Sequence, residues 1–247
     1  MRAKKSLGQN FLKSEAALQK IIGAGEIGPD DTILEIGPGK GALTERLLIH
    51  AGKVIAVEKD RELVEFLQNK FKEEVSAGKL VLINEDILNF TAKQKYKIIA
   101  NIPYNITGAI LKKFLTSENQ PERMVLMVQH EVAQRIIARD GKESILSISV
   151  KAYGHPKILM KVPARYFSPA PKVDSAIIAI TDISREFFER KNVAEEKFWE
   201  IVKKGFAHKR KKLSSNLREL VPLEKTTTLP KNARAEDLKL EDWLNFI

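Results

Sequence analysis

The chain has 247 residues, 43% of them hydrophobic, and 42 Lys and Arg against 32 Asp and Glu give a formal net charge of +10. That length suits one large α/β domain or an ordinary domain with a small appendage, and the cationic excess points to a polyanionic partner. Cysteine is absent, which excludes disulfides, a thiolate nucleophile and iron–sulfur ligation.

The N-terminal segment carries Arg2, Lys4, Lys5 and Lys13 before the first acidic residue, Glu15. It lacks a secretory apolar core, and no apolar run reaches bilayer length, so a cytoplasmic protein without a membrane partner is expected. A helix is predicted over 14–27 with Ser14 as its N-cap. A buried strand over 32–36 then enters the glycine turn Gly37-Pro38-Gly39-Lys40-Gly41, followed by a helix over 42–50. A second strand spans 53–58, a long helix 61–76 and a third strand 80–83, ending before Asn84-Glu85-Asp86. A fourth strand over 96–100 delivers Asn101. Further strands are predicted over 124–128 and 173–181, separated by a loop over 163–171 with three prolines. Past residue 185 the pattern is helical only, over 195–206, 209–220 and 236–246, and contains the run His208-Lys209-Arg210-Lys211-Lys212. A boundary near 183–190 divides an α/β domain, 1–184, from a small all-helical domain, 185–247.

Alternating strands and helices predict a parallel, Rossmann-like sheet with helices on both faces, which binds ligands outside the carboxyl ends of its strands. Gly37, Glu58, Asp86 and Asn101 all fall at that edge. The turn fails as a P-loop because Lys40 is followed by Gly41 and position 34 is Leu. Gly37, Gly39 and Ala42 do fit a dinucleotide fingerprint, with Glu58 placed for ribose hydroxyls, so a dehydrogenase stays open at this point. Asp86 favours the alternative, a methyl-donor site, as an acceptor for an adenine amino group. The four histidines, His50, His130, His155 and His208, lack metal-ligand spacing, and no metal is expected.

Asn101-Ile102-Pro103-Tyr104 supplies what an exocyclic amine on a flat ring needs. Its lone pair is delocalised, so attack on a sulfonium methyl requires the nitrogen to move toward tetrahedral geometry. Asn101 Oδ1 and the Ile102 or Pro103 carbonyl are acceptors that strengthen as positive charge develops there. Pro103 stiffens the turn, Tyr104 offers a face for an extruded base, and Phe167, in the proline-bounded loop, is the expected second ring.

The chain resembles the rRNA adenine N6,N6-dimethyltransferases of the KsgA type nearly end to end. The match lies in Gly8-Gln9-Asn10-Phe11-Leu12, Leu34-Glu35-Ile36-Gly37-Pro38-Gly39, Asn101-Ile102-Pro103-Tyr104-Asn105, Phe167-Ser168-Pro169-Ala170-Pro171-Lys172-Val173-Asp174-Ser175 and Arg234-Ala235-Glu236-Asp237-Leu238. The resemblance implies a class I methyltransferase sheet and S-adenosylmethionine as cofactor, contacted by Asn10, Leu12, Gly37, Glu58, Asp86 and Asn101, with Gly39 in the same turn. It implies a substrate of two adjacent adenines in the 3′-terminal hairpin of 16S small-subunit rRNA, modified during ribosome biogenesis. The expected partner is that rRNA or a pre-30S particle, met by a monomer. Arg2, Lys4 and Lys5, with Lys209, Arg210, Lys211 and Lys212, are the expected RNA contacts. Ile102 departs from the more frequent Leu and also occurs in related enzymes that methylate large-subunit rRNA to confer resistance, whereas Asp174 favours the small subunit. A non-catalytic assembly factor on the same fold is the third possibility, and the intact Asn101, Pro103 and Tyr104 argue against it.

Overall fold

The computed structural model describes residues 4, 7–227, 230 and 232–247. Arg2 and Lys5 lie outside the described residues. The chain divides into two units, Met1–Ala133 with Lys157–Ile183, and Gln134–Pro156 with Ser184–Ile247. The second is thus discontinuous, and residues 134–156 join it rather than the α/β unit in which the sequence reading placed them.

The first unit begins with β1 (Phe11–Leu12) and α1 (Glu15–Gly25), whose N-cap Ser14 accepts from Ala17 N–H at 3.3 Å. There follow β2 (Thr32–Ile36), α2 (Ala42–His50), β3 (Lys53–Glu58), α3 (Arg61–Lys70), α4 (Lys72–Ser76), β4 (Leu80–Asn84) and β5 (Lys97–Asn101). α5 (Thr107–Leu115), β6 (Met124–Gln129), α6 (His130–Ile137), α7 (Ile145–Lys151), β7 (His155–Val162), β8 (Phe167–Ser168) and β9 (Ser175–Thr181) complete the sequence up to residue 181. The long helix expected over 61–76 is broken at Phe71. Its backbone leaves helical geometry (φ −114°, ψ 39°) and its ring enters the core. Gly41 makes room for that ring, since a Cβ there would lie 2.6 Å from it.

One sheet has strand order β4-β3-β2-β5-β6-β9-β7. β2 to β6 pair in parallel, whereas β9 runs antiparallel to β6, with Met124 opposite Ile180. The central strands read as continuous apolar runs because both faces are covered: Met124–Val128 and Ser175–Ile180 are buried at every residue. The chain steps from β2 to β3 to β4 in one direction and from β5 to β6 in the other. Right-handed crossovers then set α2 and α3 on one face and α5 on the opposite one. The reversal leaves a crevice between the carboxyl ends of β2 and β5.

In the second unit, Ser144 and Ser147 form a reciprocal capping box at the start of α7. α8 (Glu186–Lys191), α9 (Glu195–Gly205), α10 (Leu213–Leu217) and α11 (Leu223–Thr227) follow. Tyr153 hydroxyl donates to Glu195 and accepts from Trp199 Nε1 at 3.0 Å, and Glu143 N–H donates to the Glu236 carbonyl at 2.7 Å. These bonds tie 134–156 to the C-terminal helices. The helix expected over 209–220 shrinks to α10, because four cations at its proposed start oppose the helix dipole and Lys212 provides no side-chain cap. The one expected over 236–246 resolves into two 3₁₀ turns, Ala235–Asp237 and Glu241–Phe246. Among the described residues no helix is long and apolar enough to cross a membrane.

Candidate active site

Four strand ends in the first unit define one cavity of about 420 Å³, within the range of small-molecule sites. Gly37 follows β2, Glu58 ends β3, Asp86 lies two residues past β4, and Asn101 ends β5. All four line the cavity, together with Asn10, Leu12, Gly39, Pro103 and Tyr104. Phe167 does not.

The glycine turn brings backbone close to the cavity. Gly39 holds φ +60°, and a Cβ there would meet the Phe11 ring at 2.9 Å. Its N–H donates to Glu58 Oε2 at 3.3 Å, while Asp60 N–H donates to Oε1 at 2.9 Å. Glu58 is thereby fixed with lone pairs left for hydroxyl donors. Burial raises its pKa, which these two backbone donors counter in part. Asp86 Oδ1 accepts from Leu88 N–H at 3.0 Å and Oδ2 pairs with Lys59 Nζ at 2.9 Å. Those contacts hold its pKa below the usual range, the Leu88 N–H foremost.

Asn101 Nδ2 donates to the Asn10 carbonyl at 3.0 Å, which orients the amide and leaves Oδ1 as an acceptor. Asn10 Nδ2 in turn donates to the Gly8 carbonyl at 3.1 Å. Pro103 carbonyl accepts from Ile106 N–H at 3.3 Å, and Ile102 and Pro103 both line the cavity. Tyr104 lies in a 3₁₀ turn, with its hydroxyl 2.5 Å from Ser175 Oγ and its carbonyl accepting from Thr107 Oγ1 at 3.1 Å. Ser175 is wholly buried at the start of β9. The tyrosine ring is therefore held in orientation from both ends.

Two expectations are corrected. Phe167 is only 3% exposed and belongs to the apolar core, because β8 pairs antiparallel with β1 and sets Phe167 opposite Leu12. The flanking prolines had implied an exposed ring. Lys4, expected on phosphate, is already paired within the protein: its Nζ lies 2.8 Å from both Asp60 Oδ1 and Glu62 Oε1. Lys209, Arg210, Lys211 and Lys212 are exposed, on a turn held by buried Asn216, whose Nδ2 donates to the Gly205 and His208 carbonyls at 2.6 and 3.2 Å.

Several cavity residues went unassigned in the sequence. Glu35, 1% exposed, accepts from Thr44 Oγ1 at 2.6 Å, and burial pushes its pKa up to about 8 with nearby Glu58 adding to the rise. A lone carboxyl inside an otherwise apolar, buried strand was the available signal. Lys59 in the cavity, and Ser175 outside it on the Tyr104 hydroxyl, gave no local cue to their roles, which come from partners 27 and 71 residues away.

The family model for Ribosomal RNA adenine dimethylase matches residues 1–247. The chain is 40% identical over 257 residues to Ribosomal RNA small subunit methyltransferase A of Dehalococcoides mccartyi strain CBDB1, covering 98% of this chain and 87% of that protein. A crystal structure of a dimethyladenosine transferase from Plasmodium falciparum superimposes with a TM-score of 0.80 at 26% identity, covering 96% of this chain and 95% of the other. The crystal structure of the 23S rRNA methyltransferase ErmE gives 0.76 at 26% identity, with 96% and 98% covered.

Proposed function

Because the chain belongs to the ribosomal RNA adenine dimethylase family, we propose that this cavity seats S-adenosylmethionine beside an extruded adenine of 16S rRNA. The protein is an S-adenosylmethionine-dependent rRNA adenine N6,N6-dimethyltransferase of the small-subunit type. The observation that carries the site reading is the convergence of Glu58, Asp86, Asn101 and Tyr104 on one cavity.

The residues present fit that cofactor. Glu58 offers acceptors for ribose hydroxyls, Asp86 an acceptor for an adenine amino group, and the turn from Gly37 to Gly39 admits close backbone approach. When bound, the cofactor supplies an electrophilic methyl on a sulfonium. Asn101 Oδ1 and the Ile102 or Pro103 carbonyl accept from the amine hydrogens, and both bonds strengthen as positive charge grows on the nitrogen. No ionised base is required, since an alkylated aromatic ammonium is acidic enough to release its proton to water. After one transfer a single N–H remains, so the second needs only one of the two acceptors.

Tyr104 stacks the base, offsetting part of the few kcal/mol of extrusion by about 1–3 kcal/mol. Phe167 enters this reading through the strand that holds Leu12 and the arm rather than as an exposed ring. The substrate is a pair of adjacent adenines in the 3′-terminal hairpin, in rRNA or a pre-30S particle, modified by a monomer in the cytoplasm during ribosome biogenesis. The exposed cations of 209–212 extend the RNA footprint. Asp174 supports the small-subunit choice because the resistance enzymes usually carry Asn at that position; here its Oδ1 accepts from Ala164 N–H at 3.0 Å and its Oδ2 lies 3.0 Å from Lys161 Nζ. The test is mass spectrometry of rRNA methylated in vitro. Dimethyladenosine at two adjacent positions of the 16S hairpin is expected, whereas methylation confined to 23S rRNA refutes the substrate. Binding of a nicotinamide dinucleotide, with no affinity for S-adenosylmethionine, refutes the cofactor.

A further inference from the structure

We infer that Asp60 is a positioning residue for the methyl donor, clasping the N-terminal arm over the cavity through Lys4 and Gln9. The inference rests on the cavity being the donor site.

The arm is anchored at both ends. At one end Phe11 and Leu12 pair with Ser168 and Phe167, and Lys13 N–H donates to the Tyr166 carbonyl at 2.8 Å. At the other, Lys4 Nζ sits 2.8 Å from Asp60 Oδ1, and Gln9 Nε2 donates to Asp60 Oδ2 at 2.9 Å. Lys4 N–H donates to Gln9 Oε1 at 2.7 Å, which makes the two arm residues one unit. Between these anchors, residues 7–10 line the cavity.

Helix capping does not require this arrangement. Asp60 caps α3 with Oδ1, which accepts from Glu62 N–H at 3.2 Å. One oxygen satisfies a cap, yet both are used, and the side chain is only 4% exposed. A carboxylate so enclosed holds its charge because donors surround it. Against the cost of burial, which is the largest influence, Lys4, Gln9 and the Glu62 N–H still leave its pKa lowered. Asp60 also donates its own N–H to Glu58 Oε1. The arm is therefore one residue removed from the carboxylate that receives ribose hydroxyls. An arm that detaches at Asp60 takes Gly8 and Gln9 off the cavity, frees the Asn10 amide that the Gly8 carbonyl orients, and slackens Glu58, while Phe11 stays paired with Ser168. Donor affinity then scales with the fraction of molecules whose arm is closed.

This assigns Lys4 to the donor rather than to RNA. The experiment uses the full-length protein without RNA and S-adenosylhomocysteine as the probe, titrated by calorimetry and chased in stopped flow. Lys4→Met and Asp60→Asn are the test variants, Lys4→Arg the conservative one. Asparagine keeps the α3 cap, so a purely structural role for Asp60 leaves Asp60→Asn unaltered. Each test variant is expected to release the probe roughly fivefold faster, as for a partly shielded charged contact. Lys4→Arg restores the wild-type rate, and the Lys4→Met/Asp60→Asn double variant is no worse than either single change. Unchanged release in both variants, or full additivity in the double variant, overturns the clasp. So does a Lys4→Met variant that releases the probe normally but lowers the salt slope of rRNA binding by about 0.7–0.9, the signature of one lost phosphate contact. A wild-type protein that does not bind the probe refutes the donor-site reading itself.

Discussion

Glu35→Gln tests the electrostatics of the cavity floor. In the unfolded chain this carboxyl loses its proton near 4.5, whereas burial in the folded protein pushes that event up to about 8. Between those values the folded state holds one more proton than the unfolded state, so Glu35 makes stability fall as pH rises. At ~1.4 kcal/mol per pH unit, the loss accumulates to a few kcal/mol across the window. Glutamine mimics the protonated form and can still accept the Thr44 hydroxyl. The variant should therefore match the wild type near pH 4.5 and exceed it increasingly toward pH 8. Urea denaturation of both proteins over this range measures the difference, in which the opposing contributions of Asp31, Asp60 and Asp86 cancel. Since Glu35 lines the cavity and the cofactor is cationic at its sulfonium and ammonium, binding should also expel a proton near neutral pH. Calorimetry in buffers of different ionisation enthalpy detects that release, and Glu35→Gln should abolish it. A stability difference constant to within ~0.5 kcal/mol from pH 4.5 to about 8 refutes the assignment of a neutral Glu35.

Asn101→Ala should cut single-turnover transfer by roughly a hundredfold, as for a lost transition-state partner, with a much smaller change in cofactor affinity. Equal losses in both, by single-turnover assay and calorimetry, argue for a ground-state contact instead. Gly39→Ala places a Cβ 2.9 Å from the Phe11 ring at φ +60°, so cofactor affinity should fall on the order of tenfold. Adding Phe11→Ala should cost less than the sum of the two single changes in the same titration. Replacing Lys209, Arg210, Lys211 and Lys212 together by Ala should lower the salt slope of rRNA binding by about 0.7–0.9 for each phosphate lost. Filter binding at several salt concentrations measures the slope, and cofactor affinity serves as the control.

The parts of this protein legible in its sequence are those determined locally. α2 and β3 fall at the predicted residues because a glycine turn and an apolar run bound them within a few positions. The cavity edge was legible for a related reason. In a parallel sheet the residue after each strand is brought to one rim, so Glu58, Asp86 and Asn101 could be placed without knowing the strand order. What was hidden depends on pairing across the chain. Phe167 looked exposed from its prolines, yet a two-residue strand partner at Leu12 turns it inward. Lys4 looked like a phosphate contact from its basic neighbours, yet an aspartate 56 residues away claims it. The break at Phe71 follows from the space that Gly41 leaves, which no helical periodicity encodes.

The division of the second unit into two chain segments has a consequence for how the protein is made. Residues 134–156 are synthesised before any of 184–247 exists. Tyr153, whose hydroxyl partners Glu195 and Trp199, therefore waits at least 42 residues for them. At typical synthesis rates of about 5–20 residues per second, that interval lasts seconds, far longer than helix formation. During it α7 has its own capping box, while Tyr153 lacks the Phe188 and Trp199 rings that pack against it in the finished protein. The nascent chain thus displays Tyr153, buried in the finished protein, as a transient adhesive surface. Aggregation during overproduction should start from this segment, and a charge at its already exposed Ile145 should improve yield without altering the mature enzyme.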